Sequence, residues 1–144
     1  MGEAREVMDR ATAAVFGKDM DAFAECYAAD VVAQTPDAGT INGRDQLADY
    51  MRQLADAFPD LDYEMLRTME DGEFAIDEGI VVGTNTGPLV LASGETLPPT
   101  GKSVRLRSID VATVQGGVIT SHDFYFDQMA FVEQLGLLQQ GADA

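Results

Sequence analysis

The chain has 144 residues, 46% of them apolar and 24% charged. That is the size and composition of a single domain, read here as spanning 1–144, and it excludes a disordered chain or a coiled coil. Its 25 acids against 9 bases give a net charge of −16, which argues against a nucleic acid or an anionic membrane as partner, since both need clustered Lys and Arg.

In chain order, apolar residues at Val7, Met8, Ala11, Ala14 and Val15 have helical spacing and predict a helix over Arg5–Phe16. After Gly17-Lys18, Asp19 is placed to cap a short helix from Met20 to Tyr27. Val31–Thr35 reads as a strand closed by Pro36. A further amphipathic helix follows Asn42-Gly43, with Leu47, Tyr50, Met51, Leu54 and Phe58 on one stripe, and Pro59-Asp60 ends it. The period then changes to that of strands: Leu61–Met69, a turn at Asp71-Gly72, and Phe74–Thr84. Pro88–Gly101 holds three of the five prolines and reads as a loop. Ser103–Val114 and Val118–Phe126 are strands on either side of the tight turn Gly116-Gly117, and Met129–Leu138 is a terminal helix. Helices segregated from a run of antiparallel strands predict an α+β domain, with a curved sheet and its helices enclosing an apolar pocket.

One cysteine and one histidine exclude an internal disulfide, a cysteine metal cage and the usual multi-histidine metal sites, so no metal or cofactor is expected. Cys26 sits on an apolar helix stripe and reads as core. No apolar run approaches the roughly 20 residues of a membrane span. The N-terminus shows no apolar leader, so the expected location is cytoplasmic.

The last strand carries the candidate chemistry. Alternation puts Ser121, Asp123, Tyr125 and Asp127 on one face, and His122, Phe124 and Phe126 on the other. If the first face looks into the pocket, Asp123 and Asp127 are paired, dehydrated carboxyl groups, which is how a protein makes an acid/base catalyst without a metal. The structural alternative is that Asp127 caps the terminal helix and Asp123 is solvated. His122 and Tyr125 are candidates for orienting a substrate oxygen. Arg105 and Arg107 share a strand face, where Arg107 either holds an anionic oxygen or pairs with the abundant acids. Phe124 and Phe126, read as outward-facing, predict a homodimer.

Several motifs in order, Phe58-Pro59-Asp60-Leu61, Gly83-Thr84-Asn85-Thr86-Gly87-Pro88-Leu89, Leu97–Lys102, Ile109-Asp110, Gly117-Val118-Ile119 and Gln134-Leu135-Gly136-Leu137, resemble the SnoaL-like ester cyclases of the NTF2-like superfamily. The resemblance implies a cone-shaped α+β barrel with a deep apolar pocket. It also implies cofactor-free closure of a polyketide ring by intramolecular aldol condensation. The family's acid/base aspartate, in a strand motif Glu-x-Trp-x-x-x-Asp, falls on Asp127. Asp123 stands at the tryptophan position and Ser121 at the glutamate position, so a second carboxylate replaces an indole. Asn85 occupies a histidine position of the family's Gly-Thr-His-Thr-Gly and is a candidate substrate contact. Thr35 and Ala11 stand where the related ketosteroid isomerases carry their aspartate and tyrosine.

Three functions follow as expectations. The first is an aldol-type cyclase acting on a hydrophobic small molecule, with Asp127 and Asp123 as catalytic residues. The second is a non-catalytic small-molecule binder. The third is an epoxide hydrolase or cyclase on the same fold, in which the two aspartates and an arginine activate water.

Overall fold

The helical spacing near the N-terminus is realised in full. The computed structural model describes residues 2–91 and 93–137. In it Glu3–Phe16 forms α1, which buries Val7, Met8, Ala11 and Val15 against the sheet. Burial of the Val7, Met8 and Val15 side chains contributes about 1.5–3 kcal/mol each. No side chain of its own caps α1. Instead the Glu70 carboxylate reaches across from the sheet and accepts from Gly2 N (3.0 Å) and Arg5 N (3.1 Å), putting an anion at the positive end of the helix. Asp19 caps α2 (Met20–Glu25) by accepting from Ala22 N at 3.0 Å.

Strand β1 (Tyr27–Thr35) begins four residues before the predicted Val31. Tyr27 belongs to the strand because its ring is buried against Phe23, with centroids 4.7 Å apart. β2 (Gly39–Asn42), which the sequence did not announce, folds back on β1. α3 (Arg44–Ala57) follows, then β3 (Asp62–Asp71) and β4 (Phe74–Thr84). Within the stretch expected to be loop, β5 (Leu89–Val90) and β6 (Thr96–Leu97) form a small separate hairpin. β7 (Ser103–Gln115) and β8 (Val118–Phe126) precede α4 (Gln128–Gln134). The predicted end of that helix, Leu138, lies outside the described residues.

The main sheet has the order β2-β1-β8-β7-β4-β3. β1 runs parallel to β8, and the other neighbours are antiparallel. α1, α2 and α3 lie on its inner face, where Val7, Met8, Phe23, Leu47 and Met51 meet Ala75, Ala112 and Ile119. This is the α+β arrangement that the element order predicts.

The face assignment of β8 is corrected. His122, Phe124 and Phe126 point inward and line a cavity, whereas Ser121, Asp123 and Tyr125 lie on the outer side. The cause is a β-bulge. Thr113 pairs with Ser121 and Val114 with Ile119, which leaves Thr120 as an extra residue. Ile119 is fully buried. Strict alternation from Ile119 would carry Ser121 and Asp123 inward, and the inserted residue reverses that parity. The homodimer expectation therefore loses its stated basis, because Phe124 and Phe126 are interior.

Candidate functional site

Between the sheet and helices lies a cavity of about 130 Å³. Its walls are mainly apolar: Ala11, Val15 and Phe16 from α1, Met51 and Leu54 from α3, Val81 from β4, Val104 and Leu106 from β7, and Phe124 and Phe126 from β8. A dry engineered cavity of roughly 150 Å³ holds one benzene ring, so the deep part of this one is sized for a single ring. A second groove of about 400 Å³ adjoins it and shares Tyr50, Leu54 and Phe131.

The polar groups of the cavity come from the inward rows of β4 and β7. β7 sends Val104, Leu106, Ser108, Asp110 and Ala112 inward, and β4 sends Ala75, Asp77, Gly79 and Val81. Asp77 and Asp110 are direct cross-strand partners. Two carboxyl groups thus stand side by side on an otherwise apolar wall. They have different neighbours. Arg5 Nη2 donates to Asp77 Oδ1 at 2.6 Å, inside the protein. Burial, followed by the nearby Asp110 charge, outweighs Arg5 and raises the Asp77 carboxyl above its ordinary range. Burial works to lower the Arg5 guanidinium, but hydrogen bonds to Asp9 and Asp77 more than offset it and leave it raised.

Asp110 is joined to His122, whose Nε2 lies 2.7 Å from Asp110 Oδ2, while Tyr27 Oη lies 2.8 Å from His122 Nδ1. The imidazole is fixed further by stacking on Phe124, with centroids 4.1 Å apart. Tyr27 is fully buried, and burial, with the Asp110 charge next, holds its phenol well above its ordinary value, so it keeps its proton. His122 Nδ1 is the only acceptor the Tyr27 hydroxyl has among the described residues. Donation there leaves the ring proton on Nε2, where it donates to Asp110. The chain thus runs from Tyr27 through His122 to Asp110. Only Oδ2 of Asp110 accepts a hydrogen bond among the described residues, which leaves Oδ1 free for a guest.

Two other polar points line the cavity. Tyr50 Oη donates to Asp37 Oδ1 at 2.8 Å, and burial, then Asp37, raises the Tyr50 phenol. Tyr63 Oη is buried without a hydrogen-bond partner among the described residues.

The residues singled out from sequence are distributed differently. Of them, His122 lines this cavity. Asp127 is exposed and caps α4, accepting from Ala130 N at 3.0 Å; the capping alternative describes its place. Asp123 stands on the outer face opposite Gln34 of β1 and Val111 of β7, and Tyr125 is 56% exposed. Arg107 faces outward and donates to Glu78 Oε2 at 3.1 Å; it meets one of the abundant acids, not a pocket ligand. Asn85 is fully buried, but its side chain serves the backbone: Nδ2 donates to Ala57 O and Gly87 O, and Oδ1 accepts from Thr100. It locks the loop that follows β4. The groups that sequence reading missed are Asp110, Asp77, Tyr27, Tyr63 and the Asp37–Tyr50 pair. For Asp110 and Asp77 a signal existed, since each is the single acid in an alternating row of small and apolar residues.

Among the described residues no cluster of three or more potential metal ligands occurs, and no helix is long and apolar enough to cross a membrane.

Comparison with known proteins matches the fold. A candidate SnoaL-like polyketide cyclase from Jannaschia sp. CCS1 superposes with a TM-score of 0.82 at 17% identity, over 96% of this chain and 94% of that one. A protein with a ketosteroid isomerase-like fold from Catenulispora acidiphila, in complex with trimethylamine, gives 0.74 at 19% identity over 92% and 93%. TerC, co-crystallised with polyporic acid, gives 0.74 at 15% identity over 94% and 99%. No curated protein sequence matches the chain significantly. The SnoaL-like domain family matches residues 8–122, a span that includes Tyr27, Asp110 and His122 and stops short of Asp123 and Asp127. The chain belongs to the SnoaL-like domain family and has its NTF2-like, ketosteroid isomerase-like α+β fold.

Proposed function

We propose that this protein is a cofactor-free, aldol-type cyclase of a hydrophobic small molecule, with Asp110 as the acid/base group and His122 and Tyr27 as its positioning partners. The observation that carries the reading is the Tyr27–His122–Asp110 hydrogen-bond chain opening onto an apolar cavity. In the proposed reaction, Asp110 Oδ1 takes a proton from a carbon between two carbonyls. The C–H pair becomes the enolate, which attacks a ketone carbon of the same molecule and forms the new C–C bond. Asp110 then returns its proton to the new alkoxide, so atoms and charge balance with no other reactant. The reacting ring occupies the deep cavity, and the rest of the substrate lies in the adjoining groove.

Positioned acid/base groups contribute on the order of 10²–10⁴-fold to rate. Asp110→Asn keeps the side-chain volume and removes the base, so cyclisation of an aromatic polyketide ester should fall by about that factor. Turnover at the wild-type rate in that variant refutes the assignment. The binder reading gained support from the outward positions of Asp123 and Asp127. The acid pair inside the cavity favours catalysis instead. Epoxide chemistry would leave solvent oxygen label in the product, whereas ring closure leaves none.

A further inference from the structure

Tyr63 Oη is a buried polar atom of the cavity wall with no hydrogen-bond partner among the described residues. A buried hydroxyl with no partner is unfavourable in the empty protein, and such atoms are rare in native interiors. Here the arrangement that holds it is specific. Tyr63 lies on the inward row of β3, opposite Val81, with its ring stacked on Phe16 at a centroid distance of 5.4 Å and an interplanar angle of 10°. The tip of the ring occupies the space over Gly79, where a Cβ would come within 2.3 Å of Cζ and 2.5 Å of Oη. Any side chain at Gly79 would expel the hydroxyl, so this glycine is what admits it. Around it stand Asp110, Asp77 and Ser108. Ser108 stands beside it, close enough to act weakly on the phenol but outside hydrogen-bond geometry. Burial, reinforced by the charges of Asp110 and Asp77, pushes the Tyr63 phenol well up, so it is a donor at neutral pH.

Resting on the reading of Asp110 as base, we propose that Tyr63 Oη is the carbonyl-oxygen subsite of this cavity. The ligand it takes is an uncharged enolisable carbonyl compound whose oxygen accepts the unused hydrogen bond. The base and the donor then address the two ends of one H–C–C=O unit. Asp110 removes the proton from carbon, and the charge that leaves Asp110 reappears on the oxygen facing Tyr63. No Lys or Arg lines the cavity among the described residues. Arg5 is already engaged by Asp9, Asp77 and Met69 O. With Asp77 already paired to Arg5, an anionic ligand would meet the Asp110 carboxyl and no free cation among the described residues, which selects for a neutral one.

The test uses ethyl 2-methylacetoacetate, which has one exchangeable proton between two carbonyls, and follows its exchange with D₂O by NMR. Wild-type protein accelerates exchange over buffer, Asp110→Asn abolishes the acceleration, and Tyr63→Phe lowers it about 10²-fold, the scale seen on deletion of one oxyanion donor. Tyr63→Phe removes only an unpaired oxygen, so its thermal midpoint equals or exceeds that of wild type; a purely structural role predicts a fall. Phenol binding weakens in Tyr63→Phe while toluene binding does not. Undiminished exchange in Tyr63→Phe, with Asp110→Asn inactive, overturns the subsite and leaves the base assignment standing. No acceleration by the wild type overturns both.

Discussion

Gly79→Ala tests the same geometry from the other side. The added methyl would lie 2.3 Å from Tyr63 Cζ and 2.6 Å from Cε1. Non-bonded carbons rest about 3.5–4.0 Å apart, so the ring tip must retreat by roughly 1.2–1.7 Å. The side chain moves and the backbone does not, because Gly79 is held in register between Met65 of β3 and Ser108 of β7. Retreat costs part of the Phe16 stacking, worth about 0.5–1.5 kcal/mol. It is offset by about 0.4–1 kcal/mol from replacing a flexible glycine in an extended strand. Net stability should thus stay within about 1 kcal/mol of wild type, a shift of a few degrees in Tm for a domain of this size. Activity has no such compensation: a hydroxyl displaced by more than an ångström no longer meets the substrate oxygen, and misplacement on that scale costs on the order of 10²-fold. The assay is deuterium exchange on the keto ester, with Gly79→Ala, Tyr63→Phe and the double variant measured beside wild type. Both changes abolish one interaction, so the double variant should be no slower than the worse single variant. Full exchange activity in a folded Gly79→Ala protein, or multiplicative losses in the double variant, refutes the reasoning.

Tyr27→Phe deprives buried His122 Nδ1 of its donor and should lower stability by about 1–3 kcal/mol in urea titration. Exchange activity should fall less than in Asp110→Asn, because the base itself remains. Hydrogen bonds from Arg5 N and Gly2 N to Glu70, from Thr84 N to Asp60 and from Arg67 to Glu78 hold those three carboxyls below their ordinary values. A depressed folded-state value means stability that is present at neutral pH and is lost as pH falls through and below about 4. Glu70→Gln should therefore flatten part of the decline in Tm between neutral pH and pH 3, and an unchanged slope would contradict the Glu70 cap. Asp127→Asn should alter neither Tm nor exchange rate, since asparagine caps a helix as well as aspartate does; a large loss of activity would return the catalytic role to Asp127. The outer sheet face exposes Ile109 and Tyr125, so sedimentation should show a dimer that Ile109→Asp converts to monomer. A monomeric wild type would end that expectation.

The fold was legible because it rests on long-range consistency among many weak signals. The stripe Val7, Met8, Ala11, Val15 and the rows of β4 and β7 keep their periods over ten or more residues, and one irregular position does not spoil them. The site was less legible because it depends on parity, which a single residue can invert. In β8 the bulge at Thr120 exchanges the two faces, so the acids read as catalytic, Asp123 and Asp127, turn out of the cavity and His122 turns in. Nothing in Ile119-Thr120-Ser121-His122 marks that bulge, because Thr and Ser suit a regular strand equally well. β7, by contrast, runs from Val104 to Ala112 in unbroken register against β4. Its inward row of Val104, Leu106, Ser108 and Asp110 could be read directly, and an acid aligned with that row had to be either a fault or a functional group. The structure supplies what one strand alone could not. Asp77 stands across from Asp110, His122 arrives from the strand on the other side, and Tyr63 projects over the gap left by Gly79. The candidate chemistry belongs to neighbouring strands in register, and for that reason it is written in pairings that no single segment displays.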